Sequence, residues 1–188
     1  MNKECIDINI ISGQRRGMKL FTLEGENTRP TLNRVKETVF NILAFDLVDK
    51  SFLDLFAGSG AIGLEALSRG SKSCIFLDNS KEAINVITKN VKKAKFEEKA
   101  KIINKDFVTF LENSTETYDV IYLDPPYNKD LHNIALGRIM DKNLLNKKGI
   151  VVVEVAKDDE IELKYVNDLT LYREKKFKSF DIYFYRNE

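Results

Sequence analysis

The segment Asp54-Leu-Phe-Ala-Gly58-Ser-Gly60-Ala-Ile-Gly63 constrains this chain more than any other. It leaves an apolar run, turns on closely spaced glycines and enters a stretch of helical composition. Glycines there let the backbone reverse tightly, approach a ligand and seat the next helix against the strand it has left. A strand feeding such a turn is the opening unit of a parallel α/β sheet. The rest of the chain keeps that rhythm. Residues 51–56 read as a strand, 61–69 as a helix and 73–77 as a strand. Ile84, Ile87, Val91 and Ala94 recur at helical spacing within 81–95, one face of an amphipathic helix. Short strands follow at 101–104 and 119–123 with a helix at 107–112 between them, and helical spacing resumes over 131–145. Gly149 opens a strand at 150–155, and 169–175 with 181–186 read as a closing antiparallel pair. This order predicts a mostly parallel sheet of seven strands, helices on both faces and an antiparallel last strand.

The first 50 residues depart from the pattern. Residues 6–11 and 18–23, separated by Ser12-Gly13-Gln14-Arg15-Arg16-Gly17, read as a β-hairpin with a basic tip. Thr31 is placed to cap a helix that carries Val35, Val39, Ile42 and Leu43 on one face. The chain divides accordingly into a hairpin-and-helix extension, 1–45, and an α/β domain, 46–188. Net charge is only +1. Between Ile10 and Lys36, however, six basic residues (Arg15, Arg16, Lys19, Arg29, Arg34, Lys36) stand against two acidic ones, Glu24 and Glu26. That excess can face phosphates, although on charge alone a solvated hairpin and helix surface is the simpler reading.

The glycine loop implies a nucleotide-like cofactor in the crevice at the strand ends, and the same spacing also fits NAD. Asp54 tips the balance toward S-adenosylmethionine, which has no pyrophosphate to place but carries a cationic amino group that a strand-end carboxylate can serve. Asp78 ends the second strand, where it can accept both ribose hydroxyls; NAD proteins use such an acid too. Asp106 ends the third strand, able to accept from the adenine amine while Phe107 packs on the ring, and equally placed to cap the helix that Phe107 begins. Phe56, Gly58 and Gly60 complete the expected cofactor set.

Asp124-Pro125-Pro126-Tyr127 follows the fourth strand directly, so it borders the same crevice. An exocyclic amine on a nucleic-acid base is a poor nucleophile because its lone pair is delocalised into the ring. The Asp124 carboxylate and a main-chain carbonyl near Pro125 can hold its two N–H groups and draw the nitrogen toward tetrahedral geometry. The prolines fix the main chain and remove competing N–H donors. Tyr127 can stack on an extruded base. Catalysis would rest on positioning and electrostatics. Taken alone, the tetrapeptide is equally a proline-stiffened loop; after a glycine loop, on this strand, the enzymatic reading is the stronger.

At this point the sequence resembles the Rossmann-like class I methyltransferases that carry a (D/N)PPY motif. It is most similar to the bacterial small-subunit ribosomal RNA guanine-N2 methyltransferase family, which modifies guanine 966 of 16S RNA. Ile11-Ser-Gly13-Gln-Arg-Arg16-Gly17-Met-Lys-Leu20 resembles that family's hairpin. Arg29-Pro30-Thr31, Arg34-Val35-Lys36-Glu37 and Phe40-Asn41-Ile42-Leu43 resemble its first helix, and 54–67 and 123–127 its cofactor and catalytic motifs. The resemblance implies that Asp54, Gly58, Gly60, Asp78 and Asp106 bind S-adenosylmethionine and that Asp124 to Tyr127 hold the guanine. It further implies that Arg15, Arg16, Arg29, Arg34 and Lys36 contact 16S RNA within the small ribosomal subunit or its assembly intermediate. The family often has Tyr-Gly before the last strand, where this chain has Phe177-Lys178.

Other readings are weaker. A DNA adenine-N6 or cytosine-N4 methyltransferase would use the same motif, but 188 residues leave no second recognition domain. An NAD-dependent oxidoreductase lacks a hydride-transfer acid, and a non-catalytic RNA-binding module would not need Asp54, Asp78 and Asp124 together. His132 reads as a solvated residue at a loop or helix start, Lys89, Lys92, Lys93 and Lys95 as the wet face of their helix, and Glu154 as either near the cofactor or ion-paired. Cys5 and Cys74 have no metal-binding spacing, so no metal is expected. No apolar run approaches membrane-spanning length and the N-terminus does not resemble a signal peptide, which together predict a cytoplasmic protein with no membrane partner.

Overall fold

The computed structural model describes residues 8–23, 30–126 and 130–188, with the backbone alone for 30–32. After helix α1 (Pro30–Ile42) the chain alternates β1 (Ser51–Asp54), α2 (Ala61–Ser68), β2 (Ser73–Asp78), α3 (Lys81–Ala94) and β3 (Ala100–Asn104). It continues with α4 (Phe107–Asn113), β4 (Tyr118–Leu123), α5 (Leu131–Asp141) and β5 (Leu145–Ala156), and ends on β6 (Thr170–Lys176) and β7 (Phe180–Arg186). The seven strands form one sheet in the order β3-β2-β1-β4-β5-β7-β6. β1 to β5 run parallel to one another, and β7 runs antiparallel between β5 and β6. The sheet and helix layout is that expected of a Rossmann-like α/β protein.

Strands buried on both faces read as continuous apolar runs, and two separate cores result. Phe52, Phe76, Val120, Tyr122 and Val152 point to the face covered by α1, α2 and α3. Leu53, Ile75, Ile121 and Val151 point to the face covered by α4 and α5. Val35, Val39, Phe40 and Leu43 of α1 belong to the first core, so this helix packs on the same sheet as the rest.

Several local details differ from expectation, Thr31 among them, which is the second residue of α1 and not its cap. Among the described residues the hairpin's arms are joined by Ile10 N to Met18 O at 2.9 Å, Gly17 N to Ile10 O at 2.7 Å and Leu20 N to Ile8 O at 2.8 Å around the bridge of Asn9 with Lys19. Its tip is a short 3₁₀ turn, Gly13–Arg15; residues 1–7 lie outside the described set. The helix predicted over 131–145 ends at Asp141, because Asn143 takes a positive φ of 51° and turns the chain back. Leu144 and Leu145 continue the apolar spacing, but β5 already begins at Leu145, five residues before the predicted strand start at Ile150.

Candidate active site

The strand order reverses between β1 and β4, and the crevice at such a switch point is where α/β sheets bind ligands. Here the ends of β1 to β4 surround a cavity of about 660 Å³. Its walls include Phe56 and Gly58 after β1, Asp78 of β2, Asp106 and Phe107 after β3, and Asp124, Pro125 and Pro126 after β4. Leu55, Asn79, Lys105 and Leu131 also line it. Asn79 and Lys105 are recruited by adjacency to the ends of β2 and β3, Leu55 lies within the glycine-loop segment, and Leu131 opens α5.

The glycine turn is built for close approach. Gly60 has φ +79°, a left-handed backbone that side-chain-bearing residues rarely adopt, and it caps α2. A Cβ at Gly63 would stand 2.3 Å from the Phe76 ring and 2.6 Å from Cys74 Sγ, so only glycine lets α2 lie on β2. Asn90 of α3, fully buried, donates to Ser59 O at 2.9 Å and so holds the loop from behind.

The carboxylates divide the work. Asp78 accepts from Gly58 N at 2.9 Å and from Ser80 N at 2.8 Å, linking the loop to the start of α3 at the cavity wall. Asp106 caps α4, accepting from Thr109 N at 2.9 Å and Thr109 Oγ1 at 3.1 Å, and still faces the cavity. The Phe56 and Phe107 rings lie 5.1 Å apart and form an apolar wall beside it. Asp54 sits behind the loop, 2% exposed, accepting from Gly63 N at 3.0 Å. Burial pushes Asp54 up to about 7, with the Asp124 and Asp78 charges adding to it against the Gly63 bond.

That shift predicts a measurable slope. An unfolded aspartate has a pKa near 3.9, so from about pH 4 to 7 folded Asp54 keeps a proton that the unfolded chain releases. Stability therefore falls as pH rises through this window, by up to about 1.4 kcal/mol per unit, and levels off above pH 7. Asp54→Asn should remove this component. Urea melts at pH 5 and pH 7.5 check it: equal pH slopes in wild type and variant would refute it.

The expected RNA-contacting residues separate. Arg16 and Arg34 are exposed. Arg15 is half-buried, donating from Nε to Ala94 O at 2.6 Å with its guanidinium 5.6 Å from the Phe96 ring centre. Lys36 departs from the expectation altogether. It is fully buried, donates to Asn9 O at 2.6 Å and stands 3.6 Å from Glu65, so no phosphate reaches it. Burial lowers Lys36 to about 8, with Glu65 opposing. Arg29 and Tyr127 lie outside the described residues. His132 lies in the first turn of α5, as one of its readings had it, but it is not solvated: it is 3% exposed, with Nε2 3.0 Å from Glu160 O. Glu154 is buried and accepts from the Tyr122 hydroxyl. Among the described residues no group of three or more His, Cys, Asp or Glu is placed to hold a metal, and no helix is long and apolar enough to cross a membrane.

Known proteins share this architecture. The family described as Conserved hypothetical protein 95 matches residues 8–186. Ribosomal RNA small subunit methyltransferase D of Haemophilus influenzae is 39% identical over 155 residues, 81% of this chain and 80% of that protein. The protein of the same name from Escherichia coli strain K12 is 34% identical over 168 residues, 89% of this chain and 84% of its own. A solved Escherichia coli structure superposes with a TM-score of 0.86 at 32% identity, covering 97% of this chain and 98% of the other.

Proposed function

The chain belongs to the family described as Conserved hypothetical protein 95, alongside the small-subunit methyltransferases it resembles, and from this we propose what it does. It is a methyltransferase that uses S-adenosylmethionine to methylate the exocyclic N2 amine of a guanine in 16S ribosomal RNA, guanine 966 by the family resemblance. Its substrate is the small ribosomal subunit or an assembly intermediate of it. The observation that carries this reading is Asp124 at the end of β4, opening onto the same cavity as Asp78, Asp106 and the Phe56–Phe107 wall.

The residues present fit the cofactor. Asp78 and Asp106 offer acceptors for hydroxyl and amine donors, and the two phenylalanines offer an apolar wall for a ring, while Asp54 lies behind the loop and holds it through Gly63 N. When bound, the cofactor supplies a methyl group activated by positive sulfur. The protein's own part is then to hold the acceptor amine. Asp124 accepts from one N–H and keeps the nitrogen lone pair out of conjugation with the ring, and Pro125 and Pro126 hold the loop rigid without offering donors. The proton freed from the amine passes to Asp124 or to solvent. Exposed Arg16 and Arg34 are left to meet RNA phosphates, while Arg15 and Lys36 shape the segment that presents them.

Nucleoside mass spectrometry of ribosomal RNA from cells with and without the gene tests this directly. Loss of one N2-methylguanosine per 16S molecule is the expected result, restored by the wild-type gene. An unchanged N2-methylguanosine content would overturn it.

A further inference from the structure

Resting on that reading of the site, we infer that Glu154 selects guanine, by accepting the N1–H of the base whose N2 amine Asp124 holds. β4 and β5 run parallel with Leu123 registered on Val153. The next residues of the two strands, Asp124 and Glu154, therefore stand side by side at the carboxyl edge of the sheet, where the base must enter. Tyr122, two residues before Asp124, donates its hydroxyl to Glu154 Oε1. That bond holds the carboxyl in place through Oε1, and Oε2 is the atom assigned to the base.

Glu154 is 5% exposed and Tyr122 1% exposed. An acid in so dry a place is costly. Burial, then the nearby Asp124 charge, pushes it well above the usual carboxylate range. The sheet does not need an acid there, since Val152 and Val153 beside it are fully buried hydrocarbon. Glu154 feels the charge of Asp124, which lines the cavity, and strongly perturbed acids cluster at functional sites. The role needs Oε2 without a proton, that is the carboxylate, the form that the Tyr122 bond favours.

The chemistry of the three amine-bearing bases makes the contact selective. Beside the N6 amine of adenine lies N1, and beside the N4 amine of cytosine lies N3; both are bare acceptors. Beside the N2 amine of guanine lies N1–H, a donor. An acceptor next to Asp124 therefore completes a hydrogen bond with guanine and opposes lone pair to lone pair with the other two.

The test uses 16S RNA ligated to carry either guanine or 2-aminopurine at the target position and assembled into small subunits. 2-Aminopurine keeps the amine but has a bare N1. In single-turnover reactions the wild type is expected to methylate guanine at least about tenfold faster than 2-aminopurine. Glu154→Leu should bring the two rates within about threefold, mainly by losing rate on guanine. Glu154→Met, similar in length but without the acceptor, gives the same comparison if the leucine variant does not fold. A wild-type ratio near one, or a ratio unchanged by either substitution, overturns the role of Glu154. Failure of the wild type to methylate the guanine would instead overturn the functional reading beneath it.

Discussion

Replacing Glu65 by alanine is expected to cost about 3–5 kcal/mol of stability, on the order of 10 °C in Tm for a chain of this size. Glu65 lies in α2, fully buried, and its two oxygens are shared among several donors. Oε2 accepts from Ile11 N at 2.7 Å; Oε1 accepts from Ser12 N at 3.0 Å and Arg69 Nε at 2.8 Å. Lys36 Nζ stands 3.6 Å from Oε2. Alanine would leave the Lys36 ammonium without its counter-charge and two main-chain N–H groups without acceptors, and an uncompensated buried charge is the larger cost. Replacing the pair together, Lys36→Met with Glu65→Leu, should be milder than Glu65→Ala alone, because it removes both fully buried charges, although the Ile11 and Ser12 N–H groups, Arg69 Nε and Asn9 O lose partners. Chemical denaturation of the three proteins decides the matter. A loss below 1 kcal/mol for Glu65→Ala, or a double variant worse than the single, would show that the N-terminal segment is held by apolar packing instead.

That network also shows where sequence reading succeeds and where it stops. Glu65 is the lone charge in a helix, Ala61–Ser68, whose every residue is buried. A single acid in an all-apolar helix is a legible sign of a buried partner. Lys36 carries no such sign. It lies in α1 among Arg34 and Glu37, both exposed, and only the angular position of one residue on the helix turns its ammonium inward. Counting charges cannot separate Arg34 from Lys36. Their surroundings can.

The strands and their order follow from periodicity and from the glycine turn, since a fully buried parallel strand has few ways to be written. Boundaries are less legible where one apolar stretch serves two elements. Leu144 and Leu145 extend the spacing of α5, yet the positive φ at Asn143 ends the helical path and β5 begins at Leu145. At the site, Asp78, Asp106 and Asp124 are recognisable because each ends a strand or closely follows one. Tyr122 and Glu154 are not, because they meet only through the β4–β5 register, which pairs residues about thirty positions apart.

Asp124→Ala should lower the single-turnover rate of methyl transfer by at least about a hundredfold at saturating cofactor, comparable to the loss of one pre-organised polar contact in other active sites. The proposed role of the carboxylate is to hold an amine whose lone pair otherwise stays in the ring. Without it the base can still enter, but its nitrogen is no longer aimed. Cofactor affinity should change by less than about threefold, because Asp78 and the Phe56–Phe107 wall remain in place. Asp124→Asn keeps one acceptor oxygen while losing the charge, so it should fall between wild type and alanine, about tenfold down. The ordering distinguishes aiming from mere charge. Were charge alone at work, asparagine and alanine would be equally slow. Were Asp124 only a strand-end residue, both would keep most of the wild-type rate, and the reacting amine would have to be held elsewhere.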